Sequence, residues 1–131
     1  MKEKVVLVVR ILFGLMFVNA GLNKFLQYMP MPEMSEQGMA LMEAFGDTAY
    51  MFPLIAITEL LAGLMIISKK CTALGAVLLM PVTVNIFLFH AFLDPAGLVM
   101  AIVLLGINIC LLYSQKSRLC SVCGCDAAKC C

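Results

Sequence analysis

The chain is poor in charge and in histidine. Only 13% of its 131 residues are Asp, Glu, Lys or Arg, about half the share of an ordinary soluble domain. Its nine cations form no basic stripe, which excludes a nucleic-acid surface. Histidine occurs once, as His90. Without a His-x-x-x-His or Glu-x-x-His pair, the metal centres that helical bundles build from such pairs are excluded too. The long apolar runs lack the polar stripe of a soluble amphipathic helix. The first run also lacks the small-residue cleavage site of a secretion signal. What is abundant is hydrocarbon: 63% of the residues are hydrophobic and the mean hydropathy is +1.04, which marks a membrane protein.

A chain of this length holds about four spans of roughly 20 residues each. The runs 5–25, 50–68, 71–92 and 96–113 supply them. The expected fold is therefore all-α: a four-transmembrane-helix bundle over residues 1–115, with a short interfacial segment in the first outer loop, and then a cysteine-rich tail, 116–131. In that loop Pro30 and Pro32 break the helix. Met39, Leu41, Met42 and Phe45 are spaced for a short amphipathic helix at the membrane surface, with Gly46 as its stop. No His or Cys stands beside the methionines, so they read as packing side chains and not as copper ligands. Lys2, Lys4, Lys69, Lys70, Lys116, Arg118 and Lys129 all fall on the termini and the second loop. The positive-inside rule then predicts both termini in the cytoplasm of a bacterial-type inner membrane, with lipid bilayer around the helices.

Glu59 stands near the middle of the second span. A charge at that depth costs about 2.5–3.5 kcal/mol on insertion scales, so it is expected to face protein. In the first span Arg10, Gly14, Phe17, Gly21 and Lys24 follow one another at intervals of four, three, four and three, which puts all five on one helix face. From these patterns Arg10 is expected to reach Glu59, with Thr83 or Asn108 beside them. Lys24, His90, Asp94 and Asn23 are expected to gather at the outer mouth. One reading makes Arg10 and Glu59 a buried pair that fixes register, with His90 bonded to Asp94 at a helix end. The other makes Glu59 and His90 proton-handling groups, histidine being the side chain that most readily changes charge near neutral pH. Cys71 and Cys110, single and far apart, read as small buried residues.

Arg10, Gly21 and Lys24 in the first span, Pro53 and Glu59 in the second, and the run NIFLFHAFLDPAG from Asn85 to Gly97 together resemble the DoxX family, over roughly residues 1–115. The resemblance implies a four-helix inner-membrane bundle. It also implies kinship with subunits of thiosulfate:quinone oxidoreductase and with partners of membrane redox proteins. On that basis the chain is expected to be a small quinone-interacting or redox-complex accessory subunit. Glu59, His90 and Arg10 would do the proton chemistry, and Lys24, Asn85 and Asp94 would hold the quinone. A structural or assembly protein without catalysis is the alternative, as is a transporter of a small solute or a thiophilic metal. Catalysis by the chain itself and homo-oligomer formation are both left open.

The tail places five cysteines between Cys120 and Cys131. A reducing cytoplasm disfavours disulfides there. Cys120 and Cys123 have the C-x-x-C spacing with which two thiolates close on one ion, and Cys125, Cys130 or Cys131 would complete a tetrahedral set. Spare thiols on a flexible tail are the alternative.

Overall fold

The computed structural model describes residues 2–122. Six α-helices account for most of them: α1 (Lys2–Leu26), α2 (Glu36–Asp47), α3 (Met51–Ile67), α4 (Thr72–Phe92), α5 (Leu98–Ser114) and α6 (Lys116–Val122). The all-helical bundle expected from the sequence is what forms. α1, α4 and the segment Pro95–Ser114 are each long and apolar enough to cross a bilayer. α3 has 17 residues, about 26 Å at 1.5 Å per residue, which is the short limit for a span. It is preceded by α2 at a bend of 94°. The bundle therefore has three full-length spans and a fourth, α3, that joins a shorter helix turned sharply away from it.

Each boundary has a local cause. α1 stops where Gln27 adopts a left-handed backbone (φ 49°) and its N–H returns to the Asn23 carbonyl at 2.7 Å, a common helix-ending geometry. Pro30 and Pro32 then hold the chain out of helix. α2 restarts at Ser35, whose hydroxyl accepts the Gly38 N–H at 3.1 Å, as N-cap serines do. Its end runs one residue past the expected stop at Gly46, to Asp47. The elbow into α3 is made by Thr48, which donates to the Phe45 carbonyl at 2.7 Å, and by Ala49 at φ 58°. Pro53 sits in the first turn of α3, where its missing N–H is harmless. The corner between α4 and α5 is Asp94 followed by a 3-10 turn, Pro95–Gly97.

The spans pack in the order α1, α3, α4, α5. The core between them is Phe13, Phe17, Ala62, Ile66, Ala76, Leu79, Leu104 and Leu111. α1 and α3 run antiparallel and nearly touch at backbone level. A Cβ added to Gly14 would stand 2.8 Å from the Gly63 carbonyl oxygen, and one added to Gly63 would stand 2.8 Å from that of Gly14. Gly21 meets Ala56 in the same way two turns further on, and Gly75 brings α4 equally close to Ala62 of α3. Small residues at such contacts are how helices associate in lipid, where no hydrophobic gain drives them together. Leu12, Leu15, Leu61, Leu64, Val99 and Ile102 point outward and are exposed, as a lipid-facing surface requires. α1 and α5, at the two ends of the row, meet only sparsely.

Candidate functional site

The expected face of α1 is the face that packs. Arg10, Gly14, Phe17 and Gly21 are buried and Lys24 is half-buried. Its charge pairing differs from the expectation. Glu59, 3% exposed, accepts two hydrogen bonds from the Lys24 ammonium, at 2.9 Å and 2.7 Å, and Arg10 takes no part. The reason is geometric. With Gly14 facing Gly63, Arg10 stands level with Ile67, about 12 Å along the axis from Glu59. Side chains also lean toward the N-terminus of their own helix. In an antiparallel pair this tips Lys24 and Glu59 toward each other and Arg10 away from both. Thr83 and Asn108 do not reach Glu59 either. Asn108 donates to the Thr83 hydroxyl at 3.1 Å, tying α4 to α5 inside the core.

Above the ion pair lies a cavity of about 410 Å³ between α2, α3 and α4. α2 covers it with Leu41, Met42 and Phe45, three of the four residues read from the sequence as its apolar face, whereas Met39 is exposed. Phe45 stacks edge-on against Phe52 across the elbow. At its other end α2 is tied down by the Ser35 hydroxyl, which donates to the Leu93 carbonyl, and by Gly38, which lies against Phe89. The wall formed by α4 presents Asn85 and His90. Asn85 makes no hydrogen bond to any described residue. His90 Nδ1 lies 2.9 Å from the Asp94 carbonyl oxygen and 3.7 Å from Asp94 Oδ2. A carbonyl only accepts, so Nδ1 carries the proton and Nε2 is left as the acceptor. The imidazole lies directly over Gly97, where a Cβ would overlap the ring.

Of the six residues singled out for chemistry, four line this cavity: Lys24, Glu59, Asn85 and His90. Asp94 supports His90 from outside it, as the helix-end reading expected. Arg10 is at the opposite end of the bundle, in a separate cavity. Sequence reasoning missed the lid residues Leu41, Met42 and Phe45 as cavity lining. It also missed Pro81 and Phe89, which line the same space. The lid was legible as a helix face, but nothing in its spacing says what it covers. Cys71 and Cys110 are exposed and not buried as expected: Cys71 is the N-cap before α4, and Cys110 borders an open groove between α1 and α5. Cys120 lies within α6. Cys123, Cys125 and Cys130 fall outside the described residues, and among those described no three His, Cys, Asp or Glu side chains cluster as metal ligands.

A family model described as DoxX matches residues 5–91. The chain belongs to the DoxX family. The matched stretch runs from α1 nearly to the end of α4, so every residue on the cavity wall of this DoxX chain lies within it, while Asp94 and α5 lie beyond it. No curated protein and no solved structure matches the chain.

Proposed function

We propose that the cavity under α2 binds the head group of a quinone and that the chain is an accessory subunit of a membrane redox complex. The observation that supports this is a mostly apolar space of about 410 Å³, within the range of small-molecule sites, with a few polar groups on its wall. A quinone ring fits such a lining by its apolar faces and asks for hydrogen-bond donors at its two carbonyl oxygens. Lys24 and Asn85 are those donors. Reduction of a quinone takes up two electrons and two protons. The electrons come from the partner redox protein, and the protons arrive through His90, which takes one up at Nε2 and releases it from the same atom, and through the Glu59–Lys24 pair. The lysine-rich end of the bundle faces the cytoplasm in this reading, so the cavity opens toward the outer side of the membrane. The tail cysteines hold a separate thiolate-bound metal; a zinc and iron assay on the whole protein and on a chain ending at residue 115 tests that assignment.

The deciding experiment is binding of a short-chain quinone to the purified protein, compared with an alkyl compound of equal size that has no carbonyls. Asn85→Leu is expected to weaken quinone binding about tenfold, the loss of one hydrogen bond, and Glu59→Gln is expected to abolish quinone-linked turnover while leaving the fold intact. Equal affinity for the alkyl compound would falsify the quinone assignment. An assembly role without chemistry is the second reading. It is favoured by one fact: Lys24, Glu59 and His90 all already have partners inside the chain. It predicts no quinone binding, and loss of a partner protein when the cavity residues are changed.

A further inference from the structure

The ion pair, the lid and the cavity leave one charged group unused. Arg10 is 9% exposed, its Nε has no hydrogen-bond partner, and no carboxylate stands within ion-pair distance of it among the described residues. A guanidinium withdrawn this far from water is stable only beside an oxygen acceptor, preferably an anionic one. It lines a cavity of about 310 Å³ at the end of the bundle where α1 begins, α3 turns into α4 and α5 ends. Lys4, Lys69 and Gln115 line the same cavity, and Glu3 is its one acid. Arg118 of α6 donates to the Lys69 carbonyl, which brings a further cation to the rim. Among the described residues its cations outnumber Glu3, and none of them is paired with it, so the cavity suits a further negative charge.

A second observation says which kind of anion. Between α1 and α5 runs an apolar groove of about 420 Å³, lined by Val5, Val9, Val103 and Cys110 among others. It shares Val6 and Leu111 with the basic cavity, so the two adjoin. Gly106 keeps the groove open, since a Cβ there would meet nothing within 4 Å. A basic pocket that leads into a hydrocarbon trough on a membrane helix pair matches an amphiphile with a phosphate head.

We propose that this composite site binds one anionic phospholipid, with its phosphate on Arg10, Lys4 and Lys69 and an acyl chain laid between α1 and α5. A free phosphate would use the cavity alone; a lipid uses the cavity and the groove together. The groove is the seam at which the row of helices is not closed, so the bound chain completes the packing that α1 and α5 do not provide for each other.

Native mass spectrometry on the full-length protein in a non-ionic detergent tests this by titration with phosphatidylglycerol or phosphatidylcholine, each with and without millimolar inorganic phosphate. Phosphatidylglycerol is expected to bind about tenfold more tightly than phosphatidylcholine. Lys69→Gln, at an exposed position, should reduce that preference about fivefold, the effect of one charge near a lipid surface. Arg10→Gln should abolish the preference. Gly106→Leu fills the groove without touching the basic cavity and should weaken retention of phosphatidylglycerol, while inorganic phosphate competes poorly throughout. Equal binding of the two lipids would overturn the proposal. So would full competition by inorganic phosphate together with a silent Gly106→Leu, which would make this a free-anion site.

Discussion

α1 carries two cations on its inward face, Arg10 buried and Lys24 half-buried, and they have opposite surroundings. Lys24 is bonded twice to Glu59 across the α1–α3 contact; Arg10, nearly four turns earlier, has no counter-charge within ion-pair distance among the described residues. The difference lies in how deep each residue sits and which way its side chain leans, since helix, face and sign of charge are the same. At one end the protein neutralises its own charge and stands beside a covered cavity. At the other it presents a charge to something outside itself. A buried ion is a structural element when the chain holds its partner and a binding element when it does not.

The sharpest test of that contrast is to remove each cation alone. Lys24→Met strands the Glu59 carboxylate inside the bundle and should cost about 3–5 kcal/mol, the usual penalty for breaking a buried pair from one side. Adding Glu59→Met to it should restore most of the loss. Thermal unfolding in detergent reads both. If the single variant is as stable as the double, the pair is not what holds that end. Next in size is the α1–α3 contact that sets the relative depth of the charges. Gly63→Ala drives a methyl group into the Gly14 carbonyl and should cost about 1–3 kcal/mol, as overpacking does. Gly106→Ala, in open space, should be neutral or gain up to about 1 kcal/mol of helix propensity. Arg10→Met orphans no partner, so in detergent free of anionic lipid it should leave stability within about 1 kcal/mol of the parent or raise it. A loss as large as that of Lys24→Met would erase the distinction between the two ends. The smallest effect belongs to the elbow. Ala49→Gly relieves a left-handed alanine but adds freedom to the unfolded chain, for a net gain of about 0.5 kcal/mol, read from the same melts.

The positions of the helices were largely legible in the sequence, because hydrocarbon runs of span length and prolines between them admit few other folds. The inward face of α1 was legible for the same kind of reason: the interval from Arg10 to Gly14, Phe17, Gly21 and Lys24 fixes direction around the axis. The partner of Glu59 was not. Periodicity says which way a side chain points around a helix and nothing about axial offset between two helices, which here depends on Gly14 meeting Gly63. The lean of side chains toward the N-terminus favours Lys24 once α1 and α3 are taken as antiparallel, and that cue was available from topology alone. The cavity was less legible still. It exists because α2 folds back across α3 and α4, and that return depends on a serine bonded to a carbonyl 58 residues away and on an alanine in an unusual backbone state.

The imidazole of His90 fills the place that a side chain at position 97 would take. Two positions seven residues apart thus share one volume, and only one of them can own it. A bulky residue introduced at 97 would evict the ring from its seat against Asp94, so that a variant with its histidine intact would behave in any screen as though that histidine had been replaced.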